Sequence, residues 1–194
     1  MTHAQIASGA TDLTGSVLIA MPGMGDERFE HAVIYLCAHS DEGAMGLILN
    51  KPSSDVTLEG LFEQLGIDAE PGSGQVPVHF GGPVEMGRGF VLHSADYRSE
   101  LTTLQVDDGF SMTGTLDVLE HIARGDGPDD WIAMLGYAGW GPGQLEGELA
   151  ENAWLVCPAS RELVFGTPDD SKWGAALDSL GIAALALSGE GGRA

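Results

Sequence analysis

The chain is so poor in cations that the few it has carry information. Eight Lys and Arg stand against 29 Asp and Glu, a formal net charge of −21. Two of these cations sit beside glycine-rich or proline-closed turns at the ends of apolar runs. Lys51 follows Asn50 in "NKP", and Arg88 follows Gly81 and Gly82 in "FGGPVEMGRGF". Loops at strand ends are where rigid scaffolds build sites. A lysine and an arginine placed there can hold a carboxylate or phosphate through charge-assisted hydrogen bonds. The chemistry is recognition of an anionic small molecule. The candidate ligand-binding residues are Asn50, Lys51, Gly81, Gly82 and Arg88, with Trp140 as a lid or wall. The plainer alternative is that Arg88 pairs with Glu85 inside its own turn.

Other constellations offer less. "GYAGWGPGQLEGEL" (136–149) sets glycines ahead of a helix, as a phosphate-binding loop would. No Lys-Ser or Lys-Thr follows, Trp140 puts bulk where close backbone approach is needed, and Glu146 and Glu148 bring negative charge to the first turns. A packing turn explains the same residues: Pro142 starts the helix, Leu145 and Leu149 face the core, and Trp140 covers the junction. Cys37 and His39 share a strand face at i, i+2, but the apolar surroundings of "VIYLCAHS" argue for a buried, inert thiol. Cys157 reads the same way. The six histidines show no HxH, HExxH or zinc spacing; His79 and His93, on neighbouring predicted strands, are the only pair with a chance of meeting. There is no GxSxG. No catalytic residue, metal ligand or cofactor is expected.

The charge also limits partners. DNA and RNA binding needs a basic footprint that releases counterions, and the cations here stand singly. Direct nucleic-acid binding and anionic membrane surfaces are therefore disfavoured. The N-terminal "MTHAQIASGATDLTG" lacks the basic and apolar regions of a signal peptide, no apolar run reaches membrane-spanning length, and the two cysteines fit no redox motif. These features predict a cytoplasmic protein with reduced thiols.

Elements that must position the candidates follow from period and punctuation. Strands are predicted at 16–20, 32–40 and 44–50, the last two joined as a hairpin by "DEG" and closed by Pro52. A helix follows, with Thr57 as cap, Leu58, Leu61, Phe62 and Leu65 on one face, and Gly66 as stop. An exposed loop covers 67–77. "VHFGG" and "GFVLHS" read as strands flanking "PVEMGR", and "TTLQV" with "FSM" as a hairpin around "DDG". A second helix starts at Thr115, with Leu116, Leu119, Ile122 and Ala123 inward. A buried strand spans 131–139, a third helix runs from about Pro142 to Asn152, and "WLVCPA" is a strand. The last helix has Thr167 as cap and Pro168 at its first position, then Trp173, Ala176, Leu177 and Leu180 at helical spacing. Hairpins mixed with single helices predict an α+β fold: one domain over 15–187, with flexible tails at 1–14 and 188–194.

Four motifs in order carry a resemblance: "GSVLIAMPGMGDERFEHAVIYLCAHSDEGAMGLILNKP", "VHFGGPVEMGRGFVLH", "GYAGWGPGQLEGELAENAWLV" and "KWGAALDSLGI". Over about residues 15–182 the chain resembles the bacterial AlgH/YqgE family. The resemblance implies a single compact α+β domain, with a mixed, bifurcated sheet and a small barrel-like core flanked by helices. The family name connects it with regulation of alginate synthesis, so the resemblance implies a transcriptional regulatory role and no catalytic residues. Ala32 stands where the family pattern has Ser, and Ser160 where it has Asp. With a charge of −21 and no helix-turn-helix pattern, regulation is expected to run through a protein or small-molecule partner. The leading reading is a non-enzymatic regulatory or binding protein. The rivals are a sensor or enzyme for an anion near Lys51/Arg88, which needs Arg88 in a concave pocket, and an acidic interaction module for a basic partner such as a ribonucleoprotein, which needs an exposed apolar patch.

Overall fold

The computed structural model describes residues 12–70 and 75–187. The tail assignments for 1–11 and 188–194, and residues 71–74 of the predicted exposed loop, lie outside that range. Leu13, inside the segment expected as a tail, packs with the core, and its N–H donates to His39 Nδ1.

Among the described residues, ten strands and four α-helices form one α+β domain. The strands are β1 (Ser16–Ala20), β2 (Val33–Ser40), β3 (Gly43–Ile48), β4 (Pro52–Thr57), β5 (Pro77–Phe80), β6 (Val84–Ser94), β7 (Leu104–Gln105), β8 (Phe110–Thr113), β9 (Trp131–Trp140) and β10 (Trp154–Pro158). The helices are α1 (Leu58–Leu65), α2 (Leu116–Arg124), α3 (Gln144–Ala150) and α4 (Asp169–Ser179). The order β10-β1-β2-β3-β9-β6-β8-β7 makes a curled, antiparallel half-barrel. It bifurcates at β9. One edge of β9 pairs with β6; the other is shared between β3, at Ala138–Trp140, and β5, which runs parallel at Met134–Leu135.

Both faces of the central strands are covered, which is why β2 reads as the unbroken apolar run "AVIYLC". Val33, Tyr35 and Cys37 face one cluster with Leu92, Met134 and the α4 residues Ala176 and Leu177. Ala32, Ile34 and Leu36 face another, with Trp140, Trp154 and Leu145 of α3. A third cluster joins α1 and α2 to the sheet through Phe62, Val118, Ile122, Val91 and Ala133.

Local signals set the helix ends well. Thr57 Oγ1 accepts from Gly60 N at 3.1 Å, and Gly66 and Gly125 close α1 and α2 in the left-handed conformation. Several expectations need correction. The β2–β3 hairpin ends before Pro52, which also opens β4, a strand the sequence did not predict; its missing N–H costs nothing at the head of a short outer strand. α3 is shorter than predicted: Gly143, at φ 74°, precedes it, and Glu151 follows it. The cap of α4 shifts to Pro168, since Thr167 Oγ1 is spent on Glu162 O at 2.8 Å. The helical period predicts Leu65 and Leu116 on core-facing sides, yet they remain 42% and 45% exposed. Ser160 Oγ accepts from Leu163 N at 3.1 Å and caps the turn at Glu162–Gly166. An Asp at that position would do the same work, so Ser160 retains a capping function.

Candidate functional site

The site begins with three glycines. β5 and β6 were read as strands flanking a turn, but β9 lies between them. The turn at Gly81 and Gly82 must therefore cross the backbone of β9 at Gly136. A Cβ on Gly82 would sit 2.0 Å from Tyr137 C, one on Gly81 2.3 Å from Gly136 O, and one on Gly136 2.2 Å from Gly82 O. Gly82 and Gly136 also hold φ of 155° and 74°, where side chains are strained. The left-handed Gly136 adds one residue to the strand, so Met134 and Tyr137 both face the same cluster despite their odd spacing. Opposite it, β6 bulges. Val84 pairs with Tyr137 and Gly89 with Leu135, leaving Glu85 through Arg88 facing one residue. Glu85 takes φ 48°, a left-handed conformation costly for a non-glycine residue. "PVEMGR" is thus mostly a bulge within β6, and the bulge carries Arg88 outward.

Arg88 projects into an open cleft of about 620 Å³, lined among others by Met45, Glu85, Phe90, Met112, Tyr137 and Trp140. Its guanidinium lies 5.0 Å from the Phe90 ring centroid. Its ion pair with Glu85, the partner the plainer reading named, is long at 3.7 Å, with both side chains about half exposed. Such a pair is worth less than about 1 kcal/mol and is easily exchanged. Burial pushes the Tyr137 phenol up, and so does the Glu85 carboxylate, which accepts its hydrogen bond.

Of the sequence candidates, Arg88 and Trp140 come together in this cleft. Trp140 contributes as a wall, with its ring packed edge-on against Trp154 at 5.9 Å. Gly81 and Gly82 shape the crossing beneath it. Asn50 and Lys51 are occupied elsewhere. Asn50 accepts from Val33 N at 3.0 Å and donates to His31 O at 2.8 Å, stitching β2 to the end of β3. Lys51 Nζ donates to the Glu30 carbonyl, and Lys51 is not part of the cleft lining. The loop after Trp140 is a packing turn: Gln144 Oε1 accepts from Gly141 N at 3.0 Å, and Leu145 is buried.

The Cys37–His39 pair does not form. Burial pushes the Cys37 thiol up to about 12, and His39 Nε2 bonds Glu146 Oε1 at 2.5 Å. His79 and His93 do not meet either. His79 bonds Asp169 Oδ2 at 2.8 Å, and the same carboxylate takes Lys172 Nζ at 3.1 Å. Sequence reasoning missed this cluster, since 90 residues separate His79 from Asp169; a lysine inside an apolar helix face was the signal available. Among the described residues, no group of three or more His, Cys, Asp or Glu is placed to hold a metal ion.

His93 anchors a buried polar chain. Its Nδ1 faces the Ser94 carbonyl at 2.8 Å and must donate. Nε2 then accepts from Thr113 Oγ1 at 2.8 Å, Thr113 from Thr103 at 2.9 Å, and Thr103 from Ser99 N at 2.8 Å. Every proton in this chain is assigned with His93 neutral. Burial lowers the His93 pKa below 6.5, offset in part by Ser94 O and the Asp96 carboxylate. The unfolded chain therefore binds this proton first as pH falls. The His93 contribution is present in full above about pH 6.5 and is lost as pH drops toward the folded value. Urea midpoints at pH 7.5 and 5.5 are expected to fall for the wild type and to fall less for His93→Asn; equal drops would refute the assignment.

The curled, bifurcated α+β half-barrel with a glycine crossing and an arginine-bearing cleft defines a single fold class. The AlgH-like family model matches residues 17–185, and the chain belongs to that family. A UPF0301 protein of Ruegeria pomeroyi is 58% identical over 184 residues, covering 94% of this chain and all of that one. One from Rhodospirillum rubrum is 55% identical, with 94% of each covered. The solution structure of AlgH from Pseudomonas aeruginosa superposes with a TM-score of 0.77 at 43% identity, covering 96% of this chain and 98% of that one. No helix among the described residues is long and apolar enough to cross a membrane.

Proposed function

We propose that this AlgH-like protein is a regulatory binding protein whose signal is an anionic small molecule held at Arg88. The observation that supports the reading is the placement of Arg88: a half-exposed guanidinium in an open cleft, over the Phe90 ring and with a long, exchangeable pair to Glu85. A cleft with aromatic walls and one well-placed charge is the usual form of a small-molecule site. Tyr137 adds an aromatic ring to the same wall. The net charge of −21 speaks against regulation by direct contact with DNA, so a regulatory role would pass through the ligand or a partner protein.

The test is a thermal-shift screen of phosphorylated metabolites, nucleotides and carboxylic acids on the wild type and Arg88→Ala. A ligand at about 100 times its Kd adds about 2.7 kcal/mol, or roughly 5–10 °C for a domain of this size. The expected result is a shift in the wild type that Arg88→Ala loses. Hits that bind both proteins equally would place the ligand elsewhere.

A further inference from the structure

Phe90 lines a second cavity as well, and Arg88, a residue of the first cleft, comes close to Gly114 in its lining. This crevice, about 220 Å³, lies between α1, α2 and strands β6 and β9. Its lining includes Leu61, Leu65, Val91, Leu116, Leu119 and Leu135. A methyl built on Gly114, which also lines it, would lie 3.5 Å from Phe90 Cδ1 and 3.8 Å from Arg88 Nη2. The polar side chains in the lining are Thr113 and Thr115. Thr113 is bonded to His93 and Thr103, and Thr115 to Asp117 and Ser99. The lining is therefore mainly apolar, with its threonine hydroxyls already paired. Leu65 and Leu116, placed inward by helical period but left about half exposed, border it.

We infer that the ligand is an amphipathic anion, a medium-chain alkyl carboxylate, with its head on Arg88 and its tail in this crevice. The inference rests on the Arg88 reading and names its ligand class. A planar carboxylate matches the guanidinium fork. An apolar tail is the occupant whose burial would cover Leu65 and Leu116 without leaving a polar group unpaired. A methylene takes about the volume of one liquid water, roughly 30 Å³, so the crevice holds a chain of about seven carbons.

The experiment is calorimetric titration of the full chain with sodium acetate, butanoate, hexanoate, octanoate and decanoate at fixed ionic strength. Affinity is expected to rise about fourfold per methylene and to level off near octanoate. Gly114→Leu, whose backbone is unstrained and whose Cβ meets only ordinary contacts, should put a side chain in the crevice and abolish the dependence on chain length. Leu116→Gln, at an exposed rim position that cannot unfold the protein, should weaken octanoate more than butanoate. Arg88→Ala should weaken every chain by about tenfold or more. A flat chain-length series, or one that Gly114→Leu leaves intact, overturns the amphipathic ligand even where polar anions still bind through Arg88. A steep series that ignores Arg88→Ala overturns the placement of the head and, with it, the reading of Arg88.

Discussion

Gly82→Ala and Gly136→Ala are each expected to destabilise the fold by about 3–5 kcal/mol, lowering Tm by about 10 °C or more, or to prevent folding. Each new Cβ would lie within 2.3 Å of backbone atoms of the segment it crosses, and backbone cannot rotate away as a side chain can. The left-handed φ at both residues adds strain for any side chain. The clash lies under the cleft, so a variant that folds at all should also displace Arg88 and weaken ligand binding. Gly87→Ala and Gly147→Ala are the controls. Both positions are open and free of positive φ. Gly87→Ala should be neutral within about 0.5 kcal/mol, and Gly147→Ala, inside α3, should stabilise by up to about 1 kcal/mol. Thermal melts of the four variants give the comparison. Equal effects in the two pairs would show that the crossing is not what these glycines serve.

Asp169→Ala is expected to cost about 3–5 kcal/mol, because it strands a buried positive charge. Lys172 is 3% exposed, and Asp169 is its ion-pair partner. The same carboxylate receives His79, so one substitution leaves two groups of the β5–α4 contact unpaired. The double variant Asp169→Ala/Lys172→Met, which replaces the charge with apolar volume, should recover most of the loss. Denaturant midpoints of the three proteins test this. A single-variant cost below 1 kcal/mol, or no recovery in the double, would show that Lys172 finds solvent or another partner. Asp169 also carries a pH signature. Burial raises its pKa, but the bonds from His79 and Lys172 outweigh that, and the net value falls below 3.8. Its contribution is present above the unfolded value and is lost as pH falls through the lower folded one, a window below pH 4, whereas the His93 loss begins near pH 6.5.

Much of the scaffold could be read from local chemistry. The Thr57 cap, the Gly66 and Gly125 stops, the β2–β3 and β7–β8 hairpins and the apolar run of β9 all act within a few residues. Their outcomes appear in the structure at or near the expected places. β4 escaped notice because "PSSDVT" has no apolar alternation; its pairing with β5 is set by the neighbour and not by its own sequence. The resemblance supplied the bifurcated sheet, which no local signal encodes.

The site divided along the same line. Residue types and spacing singled out Arg88, its glycine turn and Glu85 as its neighbour, because these interact within a few positions of the chain. They could not reveal that Lys51 would spend its charge on Glu30 O, that β9 would separate β5 from β6, or that His79, Asp169 and Lys172 would meet. Those outcomes depend on strand order and on contacts tens of residues apart. Leu65 and Leu116 show the difference most plainly. Helical period determines that a leucine faces inward, but only the packing of α1 and α2 over the sheet decides whether anything stands opposite. Here a cavity does.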